Sequence, residues 1–206
     1  MAELKHKPLV LFGGGGHAKV VISILKLSGR VVDAIYDEDK KKWGNQLLGV
    51  RIQPFPSPCA VGFSGLIAIG DNASRGRLAG KSDCEWITAI HPAAFVDPSA
   101  HIGPGSVIGA GAIIQPDVVI GAHVIVNSGA TVDHDCVISD FVHIGPGAHL
   151  AGAVNIGHGA FLGIGCSILP GVNIGEWTIA GAGSVVTRDL PRNVVAVGVP
   201  AKIISP

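Results

Sequence analysis

Charge imbalance and aromatic residues are what this chain has least of. Fifteen Lys and Arg stand against fifteen Asp and Glu over 206 residues, and Phe, Trp and Tyr together make up 5%. With no net positive field, nothing electrostatic favours nucleic acid or an anionic membrane as a partner. No apolar run approaches the roughly 18 residues of a membrane span, and residues 1–7 lead into a strand-like segment without a signal-peptide core. A soluble, cytoplasmic protein is the expectation. Cys59, Cys84, Cys136 and Cys166 are scattered without Cys-x-x-Cys spacing, which suggests neither a disulfide framework nor a zinc ribbon. Four reduced, mostly buried thiols are expected instead.

Apolar residues are plentiful, 48% of the chain with a mean hydropathy of +0.48, and they are ordered. A step of six from Ile90 meets an aliphatic side chain every time, through Val132, Ile138, Ile144 and Ala180 to Val186. A hexapeptide period held in one phase predicts a parallel β-helix whose triangular coils use three hexads each. Gly and Pro recur beside the aliphatic position, as in Ile102-Gly103-Pro104-Gly105 and Ile144-Gly145-Pro146-Gly147, and mark the coil corners. The pattern breaks over residues 187–191, and Val197-Gly198-Val199-Pro200-Ala201-Lys202 is expected to cap the last coil.

The first 86 residues follow another rule. A short apolar run at 8–12 precedes Gly13-Gly14-Gly15-Gly16-His17-Ala18 and then Val20, Val21, Ile24 and Leu25 at helical spacing: strand, tight loop, helix. Gly13, Gly15 and Ala18 fit G-x-G-x-x-G/A, which lets backbone approach a phosphate at a helix N-terminus. A second strand at 31–36 ends in Asp37, about 20 residues past the glycines, where a nucleoside hydroxyl or base would be held. Strands are also expected at 66–69 and 85–89, with a helix carrying Arg75 and Arg77 between them. Residues 53–58 form a proline-rich surface connection. The α/β portion is too short for a full dinucleotide fold, so NAD is disfavoured and a mononucleotide, as part of a larger substrate, suits it better. A purely structural βα turn is the alternative. The expected domains are 1–86, a nucleotide-sugar-binding βαβ unit, and 87–206, the β-helix with its cap.

Chemistry is expected at Val132-Asp133-His134-Asp135-Cys136-Val137, where an ionisable His stands between two carboxylates inside the apolar repeat. His134 follows the inward Val132 by two positions and so leaves the core; Asp133 and Asp135 can orient its imidazole and stabilise the protonated form. A capping or surface role is the alternative. A metal is not expected: one coil away from His134 stand Pro116 and Gly152, and one coil away from His143 stand Ile125 and Phe161, so His does not stack on His. No Ser occupies a nucleophile elbow.

Taken together, the glycine loop, Ala68-Ile69-Gly70-Asp71-Asn72 with Arg75, the segment around His134 and the closing residues through Lys202 resemble the hexapeptide acyltransferases of left-handed β-helix fold. Among these they look most like the PglD- and NeuD-like sugar acetyltransferases. The resemblance implies homotrimers that bind acetyl-CoA along the coils between subunits and use His134 as general base. Asp135 stands where PglD-like members carry Glu. It implies acceptor contacts at Gly13, Gly15, His17, Asp37, Gly70, Asn72, Arg75 and His143, and acetyl-CoA contacts at His143, Gly152, Ala180 and Lys202. The implied reaction is N-acetylation of a nucleotide-linked amino sugar, UDP-4-amino-4,6-dideoxy-N-acetylhexose by choice, through direct attack on the thioester. O-acetylation of a sugar such as sialic acid, or a non-catalytic β-helix scaffold, remain the alternatives.

Overall fold

The computed structural model describes residues 7–56, 62–82 and 84–205; Cys59 and the end of the proline-rich connection lie outside them. β1 (Leu9–Phe12) is buried along its whole length and pairs in parallel with β2 (Ala34–Tyr36) on one side and β5 (Ser64–Ile67) on the other. α1 (Gly16–Leu27) follows β1 and buries Ala18, Val21, Ile22, Ile24 and Leu25, an apolar stripe at steps of three and four. It stops where the Ser28 hydroxyl donates to the Ile24 carbonyl at 2.9 Å and Gly29 turns left-handed at φ 73°.

The sheet gains a hairpin that the apolar pattern does not reveal. β3 (Gln46–Leu47) and β4 (Val50–Gln53) form an antiparallel hairpin beside β2, and β6 (Glu85–Trp86) closes the other edge, giving the order β3-β4-β2-β1-β5-β6. The second strand is shorter than expected, since Val31 is 71% exposed and precedes it. The expected strand at 85–89 divides: Ile87 N–H still donates to Gly65 in this sheet, whereas Ala89 N–H donates to Ser106 in the next structure. α2 (Asn72–Ala79) follows β5 and is N-capped by Asp71, whose carboxylate accepts from Ser74 N–H at 2.8 Å.

From Ala89 onward the chain winds as a left-handed parallel β-helix of hexapeptide repeats. Each hexad supplies a two-residue strand, and the strands stack into three sides that begin with Ala89–Ile90, Phe95–Val96 and His101–Ile102. Partners lie one coil apart, as in Ile114↔Val132, Val132↔Leu150 and Leu150↔Ile168, and the inward residues join one continuous core. Ile90 departs from the expected burial. It is 38% exposed because it belongs to the first coil, which has a neighbour on one face only.

Corner glycines serve two purposes. From Ile102 to Ala180 the third residue after the inward aliphatic takes left-handed backbone, whether Gly105 and Gly147 or the non-glycine residues Asp117, His123, Asp135, Phe141, Ala153 and Trp177, the latter at φ between 55° and 61°. The glycine directly after the aliphatic residue is not left-handed. It is required by close approach, since a Cβ at Gly103 would stand 2.5 Å from the backbone of Gly121. The final rung drops from 18 residues to 16, Ile179 pairing with Val195, after which Lys202–Ser205 folds back antiparallel on Val195–Val197.

The α/β unit sits against the first side. Outward Ala89, Val107 and Ile125 share one apolar cluster with Ala18, Val21, Ile22 and Leu25 of α1.

Candidate active site

Beside β1 the sheet grows first to one side, through β2, and then to the other, through β5, and such a switch point opens a crevice for ligands at the carboxyl ends of the strands. A cavity of about 380 Å³ occupies it, lined by Gly13, Gly15 and His17 of the loop, Asp37 and Glu38 after β2, and Ile69 and Gly70 after β5. Phe55, Lys42, Ser74, Arg77 and Leu78 complete its walls. The N-cap of α1 is Gly15 and its first turn has no acidic residue, so the first N–H groups of the helix are open to an anion. Glycine is demanded here: Gly13 has φ 102°, and a Cβ on it would stand 2.4 Å from Ile69 Cγ1.

Asp37 builds the loop more than it faces the cavity. It is 7% exposed, and its carboxylate accepts from Gly14 N–H at 2.6 Å, Asp39 N–H at 2.8 Å and Lys42 Nζ at 2.9 Å. Burial opposes its ionisation, yet the bonds from Lys42, Asp39 and Gly14 outweigh it and hold the carboxyl below the usual range. This carboxylate thus supports the glycine loop, and Asp37 also lines the cavity where the nucleoside contact is expected. Lys42, Phe55, Ser74 and Leu78 had no signal in sequence, because the β3–β4 hairpin and α2 bring them in from outside the glycine motif.

Arg75 and Asn72 also differ from the expectation of substrate contact. Arg75 has no exposed surface. Its Nε donates to the His123 carbonyl at 2.7 Å, Nη1 to Ile69 and Gly70 at 3.1 and 3.2 Å, and Nη2 to Asn72 Oδ1 and the Phe141 carbonyl at 2.8 Å each. Asn72 in turn donates to the carbonyls of Gly159 and Ala160 at 3.0 Å. The two residues clamp the α/β unit to the β-helix. Burial lowers the guanidinium to about 10, and it stays charged.

His143 lies beside this seam. Its Nδ1 is 3.1 Å from the Gly70 carbonyl, which can only accept, so Nδ1 carries the proton and Nε2 accepts from Asn127 Nδ2 at 3.2 Å. Burial lowers its pKa to about 4. His17 faces it with ring centroids 6.4 Å apart and is likewise lowered to about 4, by burial first and by His143 and Arg75 after that. The buried His17 Nε2 has no hydrogen-bond partner among the described residues.

His134 belongs to a different corner, between the second side (Thr131–Val132) and the third (Val137–Ile138). It does not line the cavity at the switch point. The left-handed backbone of Asp135, at φ 61°, returns its carboxylate to the imidazole, and Oδ2 accepts from Nδ1 at 2.7 Å. Asp133 Oδ1 accepts from the His134 N–H at 2.8 Å. The Asp135 bond, then the charge of Asp133, raise the imidazole above its ordinary value. Nε2 is left as the basic nitrogen. Cys136, next along, is no nucleophile: it is fully buried, donates to the Ala151 carbonyl at 3.2 Å, and burial pushes its thiol up.

The other implied acetyl-CoA residues divide. Gly152 sits one coil on, directly under the His134 ring. Lys202 is exposed on the terminal hairpin. Ala180 is wholly buried as an inward residue, so its side chain packs in the core instead of meeting a ligand. Among the described residues no cluster of His, Cys, Asp or Glu could hold a metal ion, and no helix is long and apolar enough to cross a membrane.

A small nucleotide-type sheet is thus joined to a hexapeptide β-helix, with a His–carboxylate pair exposed on one of its corners, the architecture of the hexapeptide-repeat transferases. Residues 8–82 match the PglD N-terminal domain, and residues 88–122 and 99–134 match the bacterial transferase hexapeptide repeat. A mutant of perosamine N-acetyltransferase from Caulobacter crescentus, solved with CoA and GDP-perosamine, is 42% identical, with 97% of each chain covered and a TM-score of 0.90. The acetyltransferase domain of PglB from Neisseria gonorrhoeae, solved with acetyl coenzyme A, is 36% identical, covering 96% of this chain and 99% of that one at a TM-score of 0.87. UDP-N-acetylbacillosamine N-acetyltransferase of Bacillus subtilis is 43% identical over 115 residues, 50% of this chain. The chain spans about half the length, or less, of its curated relatives: the matches cover 51% of the B. subtilis enzyme and 23% of protein L142 of Acanthamoeba polyphaga mimivirus. The chain belongs to the PglD-type sugar acetyltransferases of the hexapeptide-repeat family.

Proposed function

We propose that the chain transfers an acetyl group from acetyl-CoA to the amino group of a nucleotide-linked amino sugar, with His134 as the base. The observation that carries this reading is the 2.7 Å contact between His134 Nδ1 and Asp135 Oδ2, which fixes the tautomer and leaves Nε2 free to take a proton. The sugar amine attacks the thioester carbonyl, the new C–N bond forms and the C–S bond breaks. His134 accepts the proton that the amine loses and returns it to the departing CoA sulfur. Asp135 stabilises the imidazolium in between. An amine is nucleophilic enough to need no covalent enzyme intermediate, in keeping with the buried, bonded state of Cys136.

The glycine loop and the N-terminus of α1 receive the diphosphate, with His17 in the first turn of the helix beside them. The cavity belongs to the α/β unit, which packs on the first side of the β-helix, whereas His134 stands on the corner between the other two. A homotrimer resolves this separation: closed threefold packing sets the His134 corner of one subunit against the α/β unit of the next, and acetyl-CoA enters along the groove between them. Relatives act on both GDP- and UDP-linked sugars, so the carrier is decided by the residues at the far end of the cavity.

The test is thiol release from acetyl-CoA with a panel of GDP-, UDP- and dTDP-linked amino sugars, alongside sedimentation of the protein. Turnover of at least one acceptor by a trimer, reduced roughly 10²- to 10⁴-fold in His134→Asn, is expected. A stable, active monomer or an unimpaired His134→Asn would reject the reading.

A further inference from the structure

Most polar side chains around the cavity are occupied in holding it together. Asp37 and Lys42 bind each other and the loop, and Asp39 caps the turn at Lys41 with a 3.0 Å bond. Glu38 and Arg77 are different. They come from two different elements, after β2 and in α2, and among the described residues their side chains make no hydrogen bond. Among the described residues they form an ion pair with each other, Oε2 to Nη2 at 3.9 Å, with 62% and 55% of the side chains exposed. An exposed pair at that distance contributes little stability, so either member exchanges its partner at small cost. Beside them Phe55 offers a flat apolar wall whose ring is already backed by Phe12 at 5.7 Å.

We propose that Glu38 and Arg77 read the nucleobase of the acceptor, and that the base is guanine. The proposal rests on the reading that this cavity holds the acceptor's nucleotide. A carboxylate asks for two adjacent donors and a guanidinium for two adjacent acceptors. Guanine alone among the common bases supplies both, N1–H with N2–H on one edge and O6 with N7 on the next. A carboxylate on the first edge and a guanidinium on the second meet around the O6–N1 corner, side by side, as Glu38 and Arg77 already are. Uracil places a single N3–H donor between two carbonyl oxygens that would repel Glu38. Adenine has no donor at N1 for it. The base lies against Phe55 while the diphosphate extends to the glycine loop. On this proposal the carrier is GDP, where the resemblance implied UDP.

Calorimetric titration of the full chain with GDP, inosine diphosphate, UDP and ADP tests the assignment without requiring catalysis. GDP is expected to bind at least about tenfold more tightly than UDP or ADP. Inosine diphosphate lacks only the N2 amino group, so it should bind several-fold more weakly than GDP to the native chain. That gap should close in Glu38→Ala, while Arg77→Met should weaken both purines together. Glu38 is exposed, and an unchanged melting temperature confirms that the variant is folded. Equal binding of all four diphosphates, tighter binding of UDP, or a gap between GDP and inosine diphosphate that survives Glu38→Ala would overturn the guanine assignment while leaving the acetyltransferase reading in place. Binding of none of them would remove both.

Discussion

The imidazole of His134 lies over Gly152 so closely that a Cβ on the glycine would stand 2.6 Å from Cε1 and 2.7 Å from Nε2. The two residues are one coil apart, the same spacing as Val132 and Leu150 in the core beneath them. The next coil therefore provides the floor on which the ring rests, and Asp135 fixes it from the side.

Gly152→Ala should consequently impair the chemical step. The backbone there is not left-handed, so alanine fits the chain and only the contact with the ring is strained. The exposed imidazole moves more readily than the backbone. A shift of about 1 Å costs on the order of 10²-fold in rate, so kcat should fall by about 10- to 100-fold with the melting temperature and the acceptor KM unchanged. If Gly152 served only acetyl-CoA binding, the KM for acetyl-CoA would rise and kcat would hold.

Acid should silence the enzyme, and Asp135 should set where. His134 must be unprotonated to act, and the Asp135 carboxylate raises its pKa above the ordinary 6.5. The acid limb of the kcat/KM profile should therefore fall above pH 6.5 in the native protein. In Asp135→Asn the limb should move to lower pH while the plateau drops, because the tautomer is no longer held. A profile that stayed in place would show that Asp135 does not act on His134.

Arg75→Met should destabilise the protein by about 3–5 kcal/mol, since it leaves carbonyls of both domains buried without donors. Arg75→Lys should recover only part of this, as one ammonium cannot reach His123, Ile69 and Phe141 at once. Chemical denaturation measures both. Two transitions in place of one would show the α/β unit separating from the β-helix.

The seam should also weaken in acid. Burial holds His17, His123 and His143 to about 4, against an unperturbed 6.5. The unfolded chain thus takes up these protons first as pH falls, and stability present above about pH 6.5 is lost progressively toward pH 4. Thermal melting across that window should show the decline. Replacing His123 with a residue that does not titrate should flatten its slope by up to one proton.

Sequence showed the β-helix well, because each hexad repeats the same local demand: an aliphatic residue inward and a compact corner three positions later. It showed the glycine loop for a similar reason, since Gly13 to Ala18 meet their requirement within six residues. Arg75 was visible as a residue near the site but not as a clamp. Its partners at His123 and Phe141 lie 48 and 66 positions away, and backbone carbonyls leave no mark on side-chain identity. Glu38 and Arg77 escaped for another reason: only the packing of α2 against the end of β2 makes them neighbours. The hairpin of β3 and β4 is held by main-chain bonds at a sheet edge, with Gln46 exposed and Leu47 half-buried, so it has little apolar pattern to show.

The coil length governs how this architecture can change size. A whole coil of 18 residues, inserted between the α/β unit and His134, would raise the His134 corner by one rung and leave its compass direction intact. A single hexad would turn that corner by a third of a revolution, to another edge of the prism, and would carry with it the Phe141, Gly159 and Ala160 carbonyls that Arg75 and Asn72 bind. Growth and shortening on that stretch are therefore quantised: three hexads keep every corner on its own edge of the prism, and one or two turn the base together with the carbonyls that clamp the α/β unit.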